Sequence, residues 1–213
     1  MIERRPEFTV IAGPNGAGKS RLCPFYISTP SFDGDKLMLA LRRQHPGWPD
    51  RWISGTVASE LEKQKAQALS TKSDFAFETN FSSDMVVGMV QEFMQAGYKT
   101  SLCYFGLATE DDSISRVMLR VQTGGHDVAD DVIRFNFKTG LQKVRQHLHR
   151  FDNITFVDGN SDYGHIVALH ITKGNIHKVE DTPPLWFKEQ FADAFDKLAE
   201  RMENKQKNKQ TLI

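Results

Sequence analysis

Gly13-Pro14-Asn15-Gly16-Ala17-Gly18-Lys19-Ser20 fits G-x-x-x-x-G-K-[ST], the phosphate-binding P-loop. Immediately before it, Phe8-Thr9-Val10-Ile11-Ala12 is a short run rich in β-branched and apolar residues, as expected of a buried strand. The glycines allow the backbone to approach a phosphate closely and to turn its N–H groups inward. Lys19 would reach the β- and γ-phosphates of ATP, and the Ser20 hydroxyl would ligate Mg²⁺. A following helix would aim its N-terminal N–H groups at the same anion. The competing reading is an ordinary strand–turn–helix corner. A full motif match directly after a strand argues against it. Pro24 predicts that the helix is short or kinked.

Composition bounds the rest. A chain of 213 residues fits one domain. Lys+Arg and Asp+Glu balance at 27 each, so no global basic field argues for nucleic acid. Cys23 and Cys103 fall in a predicted helix and a predicted strand, which suggests a reducing compartment. No apolar stretch is long enough for a signal peptide or a membrane span, so the expectation is a cytoplasmic protein without a membrane partner.

Downstream of the P-loop, Ser31-Phe32-Asp33 reads as a short second strand that delivers Asp33-Gly34-Asp35 to the sheet edge. A helix is expected over 36–43. Asp35 suits either its N-cap or a carboxylate at the carboxyl end of a strand, where α/β sheets bind ligands, and the two roles are compatible. His45-Pro46-Gly47-Trp48-Pro49 breaks that helix and reads as a loop, either surface or pocket wall. Ser54 to Leu69 predicts a helix with Val57, Leu61, Ala68 and Leu69 inward and Glu60, Lys63 and Lys65 outward. A third strand over 74–79 ends in Glu78 and Thr79, a charged close to a hydrophobic strand that points to function. The next helix, capped by Ser82 or Ser83, carries an apolar face from Met85 to Met94, and Gly97 ends it. The fourth strand covers 100–107.

Thr109-Glu110-Asp111-Asp112 is a capping box. The helix it opens sets Arg116 and Arg120 on one face, and a further helix after Gly124-Gly125 carries Arg134. Arginines bracketing a glycine-hinged turn suit a lid that neutralises a transferring phosphoryl group, because the guanidinium fork binds two phosphate oxygens at once. The alternative is a solvated face paired with Asp112 and Asp130. His147 and His149, two apart, lie on different helix faces and read as surface residues. Asn153 to Asp158 is the fifth strand, and Asn160 follows near where an adenine base would sit. Stretches 166–170 and 175–179 predict a hairpin around Lys173-Gly174. Thr182-Pro183-Pro184 starts a last helix that docks through Leu185, Trp186, Phe191, Phe195 and Leu198. No internal repeat is present.

Together these segments resemble the zeta-toxin family of P-loop kinases, in particular its chromosomal, stand-alone branch. The resemblance rests on Ala12 to Ser20, Asp33-Gly34-Asp35, Phe75-Ala76-Phe77-Glu78-Thr79, and Arg116 to Val128 with its Gly124-Gly125-His126, followed by Ile133 to Phe137. It implies transfer of the γ-phosphate of ATP to a hydroxyl, with UDP-N-acetylglucosamine as the acceptor of plasmid-borne members. It implies Asp35 as base, Lys19 and Ser20 on phosphates and Mg²⁺, Glu78 and Thr79 on the acceptor, and Arg116, Arg120 and Arg134 on the transferring phosphate. An antitoxin protein is an implied partner. The chain departs from the family pattern at Asp33, where an asparagine is usual, and at Phe135 and Asn136, where arginines are usual.

The expected fold is α/β: a three-layer P-loop NTPase sandwich with a mainly parallel five-stranded sheet, a helical lid, and a C-terminal hairpin plus helix. It would form one domain over 1–203, with the lid at about 109–150 and a polar tail over 204–213. A kinase of a nucleoside or nucleic-acid end, and an ATPase switch without acceptor, are the competing functions.

Overall fold

β1 (Glu7–Ala12) is buried from Phe8 onward because it lies inside a parallel sheet, between β3 (Phe75–Thr79) and β4 (Lys99–Gly106). This computed structural model describes residues 4–159, 167–172, 175–177 and 183–193. β2 (Ser31–Asp33) pairs with β3, and β5 (Asn153–Asp158) pairs with β4, both in parallel. The predicted hairpin, β6 (Val167–Thr172) and β7 (Asn175–His177), joins the same sheet by antiparallel pairing to β5. The order is therefore 2-3-1-4-5-6-7, five parallel strands continued by two antiparallel ones. The chain leaves β1 toward β2 on one side and later crosses to β4 on the other. That reversal opens a crevice at the carboxyl ends of the strands, where the P-loop lies.

One face of the sheet carries the larger core. Phe8, Phe75, Leu102, Tyr104, Ile154 and Phe156 meet helices α3 (Asp50–Thr71), α4 (Asp84–Gln95), α6 (Asp130–His147) and a C-terminal helix, α7, described over 185–193. Phe8 stacks on Phe93 of α4 with ring centroids 4.1 Å apart. On the opposite face Ile11, Ala76, Cys103, Phe105 and Val157 pack against Ala17, Leu22 and Cys23. That alternation along β1 and β3 is the period-two pleat expected of strands buried on both faces.

Helix boundaries depart from expectation in instructive ways. α1 (Lys19–Leu22) has four residues and passes into a 3₁₀ turn, Cys23–Phe25, with Pro24 at its start. α2 (Gly34–Gln44) is capped by Asp33, whose side chain accepts from the Lys36 N–H at 3.0 Å, so the capping role belongs to Asp33 rather than to Asp35. α3 begins at Asp50, four residues before Ser54, because Pro49 ends the loop and suits the entry to a helix. Lys65 is largely covered, its ammonium reaching Glu62 and Glu92. Met85 and Met94 are half exposed, and Val86, Met89, Val90 and Phe93 form the buried face of α4 instead. α5 (Glu110–Gln122) begins with the predicted Thr109–Asp112 capping box. In α7, Trp186, Phe187 and Phe191 are buried and Leu185 is exposed. Asn160, Phe195, Leu198 and the 204–213 tail lie outside the described residues. Among the described residues no helix is long and apolar enough to cross a membrane.

Candidate active site

The P-loop joins β1 to α1 and touches three other parts of the fold. Gly13 has φ +145°, and a side chain there would meet the Phe105 carbonyl oxygen at 2.2 Å. Only glycine permits that approach. Gly18, at φ +80°, makes the left-handed turn into α1. With four residues, α1 contributes little macrodipole. Asn15 is buried, and its backbone carbonyl accepts from Ser113 Oγ of α5 at 2.5 Å. Its side-chain oxygen accepts from Asn136 Nδ2 of α6 at 3.0 Å, and Asn136 in turn accepts from Ser82 Oγ at 2.9 Å. Both helices of the 109–150 segment are thus bonded to the loop. Asn136, one of the departures from the family's arginines, supplies one of those bonds, and Phe135 points outward, more than half exposed.

Lys19 is buried. Its Nζ donates to Gly13 O (2.8 Å), Pro14 O (3.1 Å) and Asn80 Oδ1 (3.0 Å), which uses all three ammonium donors. Asn80 escaped sequence reading, although it directly follows Phe-Glu-Thr. Ser20 Oγ lies 2.8 Å from Glu78 Oε1 and 3.3 Å from Asp33 Oδ2. Burial lowers the pKa of Lys19 and raises that of Glu78, in each case outweighing their mutual attraction. Glu78 Oε2 is buried with no hydrogen-bond partner among the described residues. Asp35, in the first turn of α2, is exposed to the crevice. Thr79 Oγ1 accepts from the Phe81 N–H at 3.0 Å and so holds Phe81 at φ +60°.

Two clefts meet here. The larger, about 710 Å³, runs from the P-loop to α5 and is lined by Arg116, Arg120 and His126 as well as the loop. The smaller, about 320 Å³, lies between α2, α3 and the end of β3. Lys19, Asp33, Asp35 and Glu78 line both. Thr79 lines only the smaller. Arg120 donates to the His126 carbonyl at 2.6 Å, while its Nε is buried with no partner among the described residues. Arg134 is turned elsewhere. It pairs with Asp111 (2.9 Å) and Glu110 (3.3 Å) in the first turn of α5 and does not line the cleft. The acidic partners differ from Asp112 and Asp130, which the alternative reading named, and Asp112 is engaged in the capping box.

The Ser20 hydroxyl flanked by two carboxylates is an all-oxygen donor set that suits Mg²⁺. Among the described residues no group of three or more His, Cys, Asp or Glu forms a metal cage.

The parallel sheet, reversal crevice and glycine loop with its buried lysine define a P-loop protein of the kinase type. Residues 2–167 match the family model described as Zeta toxin, and the chain belongs to the zeta toxin family. It is 25% identical over 127 residues to an uncharacterized protein of Haemophilus influenzae, covering 59% of this chain and 88% of that one. Its fold is similar to a chain of the AvrRxo1-ORF1:AvrRxo1-ORF2 complex with sulphate ions, with TM-score 0.65 and 12% identity over 92% of this chain. This chain spans 64% of that longer one. The fold is also similar to a chain of the PezAT chromosomal toxin–antitoxin system of Streptococcus pneumoniae, with TM-score 0.60 and 15% identity over 93% of this chain and 87% of that one.

Proposed function

We propose that this protein is an ATP-dependent phosphotransferase acting on a hydroxyl of a small molecule. The observation that carries the reading is the junction of two clefts at one set of residues, Lys19, Asp33, Asp35 and Glu78. A kinase needs a nucleotide and an acceptor in separate spaces that meet at the transferring phosphoryl group. The P-loop, Gly13 to Ser20 (with Pro14, Asn15, Gly16, Ala17 and Gly18 between), would cradle the ATP phosphates in the larger cleft. Lys19 exchanges its carbonyl and amide partners for phosphate oxygens there. Ser20 with Asp33 would hold Mg²⁺, which neutralises charge on the β- and γ-phosphates when bound.

Asp35 is the base. It accepts the acceptor's hydroxyl proton as that oxygen bonds to the γ-phosphorus, the bond from the γ-phosphorus to the bridging oxygen breaks, and ADP leaves with the electron pair. The products are a phosphate ester and ADP, and the proton passes from Asp35 to water. Because such transition states are loose, positioning and positive charge count for more than base strength. Arg116 and Arg120 supply that charge, and the unpartnered Nε of Arg120 is a donor awaiting an anion. Arg134 can join them only by leaving Glu110 and Asp111. Glu78 and Thr79 face the acceptor. Family membership makes UDP-N-acetylglucosamine the first acceptor to assay and an antitoxin protein the first partner to seek.

The test is γ-labelled ATP and Mg²⁺ with Asp35→Asn beside the native protein. Transfer should fall by about 10²-fold or more in the variant, with ATP binding retained. Label appearing only as free phosphate, at equal rates in both proteins, would sink the assignment and leave a nucleotide hydrolase.

A further inference from the structure

Gly124 and Gly125 follow α5, and different constraints require them. Gly124 has φ +83°, and its N–H donates to Val121 O at 2.9 Å. The Gly125 N–H donates to Arg120 O, also at 2.9 Å. This pair of bonds is the Schellman ending of a helix, and its left-handed position favours glycine. Gly125 lies outside the left-handed region, so conformation does not explain it. Space does. A Cβ there would sit 2.4 Å from Arg120 Cγ and 3.1 Å from Arg120 Cδ. In such an ending the residue after the left-handed one commonly packs on the residue whose carbonyl it bonds. Here the bare backbone of Gly125 lies against the arginine's own stem. One residue on, His126 O accepts from Arg120 Nη2 at 2.6 Å. The turn therefore holds both the stem and one end of the guanidinium.

The manner of holding matters. Arg134 is held by two carboxylates, which offset its charge. Arg120 is held by a neutral carbonyl, which fixes its geometry and leaves its charge in place. Of the five N–H donors of a guanidinium this bond uses one. Nε is buried with no partner among the described residues, and the side chain lines the nucleotide cleft. A long side chain loses rotamer freedom when it meets a ligand, and one fixed beforehand has less to lose. We propose that Gly125 and the His126 carbonyl are positioning groups for phosphoryl transfer, which fix Arg120 so that its free donors meet the γ-phosphate as charge develops on its oxygens. This rests on the kinase reading above and deepens it by giving the second glycine a task.

The experiment is a double-mutant cycle of Gly125→Ala and Arg120→Ala with γ-labelled ATP and UDP-N-acetylglucosamine. It is read both on labelled sugar and on labelled phosphate released to water. Arg120→Ala should lower kcat by about 10³-fold. Gly125→Ala should lower it by about 10²-fold, the effect of an ångström of misplacement, with KM for ATP little changed. The double variant should be no slower than Arg120→Ala alone, because Gly125 acts only through that arginine. Gly124→Asn, which keeps a residue suited to the left-handed turn, is the control for the fold and should lose little. In ¹⁵N spectra the Arg120 Nε–H resonance, identified by its absence from Arg120→Ala, should exchange slowly in the native protein and be lost to exchange in Gly125→Ala. Losses that multiply in the double variant, an equal loss in Gly124→Asn, or an unchanged Nε–H resonance would each overturn the proposal and leave the kinase reading intact. Label in free phosphate alone would overturn the kinase reading, and with it the role in transfer to a hydroxyl.

Discussion

Gly140 lies in α6 where that helix passes over the β3–α4 loop. A Cβ built there would sit 2.2 Å from the backbone oxygen of Asn80, the residue whose side chain accepts from Lys19. Real Cβ atoms essentially never approach closer than 3.0 Å, so Gly140→Ala requires the helix or the loop to retreat by about 0.8 Å. Two terms compete. Alanine in place of glycine inside a helix gains about 1 kcal/mol. Overpacking against backbone costs about 1–3 kcal/mol. The contact should win, leaving Gly140→Ala destabilised by about 1 kcal/mol. Gly55 is the control, because it sits inside α3 with nothing within 4 Å of the same position. Gly55→Ala carries the same propensity term without the clash and should be stabilised by about 0.5–1 kcal/mol. Urea unfolding at matched m-values reads the difference. In thermal unfolding it should separate the two variants by about 4–8 °C. Equal stabilisation of both would refute the reasoning, for it would mean that the Asn80 loop yields freely and does not fix the partner of Lys19.

The raised pKa of Glu78 makes a pH prediction. A carboxyl whose folded value lies above its unfolded one contributes stability that is present below the ordinary 4.5 and lost as pH rises through the folded value. Glu78→Gln removes that loss, so urea midpoints measured upward from pH 4 should show the variant gaining on the native protein. Parallel curves would mean that the side chain ionises as freely folded as unfolded. Asn136→Ala deletes the donor to Asn15 and the acceptor for Ser82. It should cost about 1–3 kcal/mol, the range for polar groups left without partners, and raise KM for ATP more than it lowers kcat. A change confined to kcat would show that Asn136 does not act through the P-loop.

Much of this fold could be read from the chain, and the reason is local. Each parallel strand is a short apolar run bounded by turn residues, and strands enclosed on both faces carry that signal strongly. Pro24 forecast the shortened α1, and the Thr109 capping box needed only residues three positions apart. The site was legible as far as motifs reach: the loop, Asp35, Glu78 and the Arg116–Arg120 pair all line one crevice. Long-range pairing was not. Asn80 meets Lys19 across 61 positions and Asn136 meets Asn15 across 121, and a lone asparagine in a sequence announces neither. Arg134 shows the same limit from the other side. Its spacing suited a phosphate, but Glu110 and Asp111 sit close enough to claim it. The hairpin was predicted, whereas its attachment to β5 depended on a register that periodicity does not encode.

Trp186 fills the space above Gly106, where any side chain would fall inside the indole ring, and donates to Asp158 at 3.0 Å. With Phe187 and Phe191 it completes an aromatic cluster on Tyr104 and Phe156. The order of synthesis gives this arrangement a consequence. β4 and β5 emerge from the ribosome well before the residues that roof them, and at about 5–20 residues per second that interval lasts a few seconds. During it a nascent chain holds its parallel strands with two large rings uncovered. A chaperone that binds exposed aromatics would find its window there, and a messenger truncated just short of Trp186 would yield a product marked for proteolysis although every motif of the site had been translated.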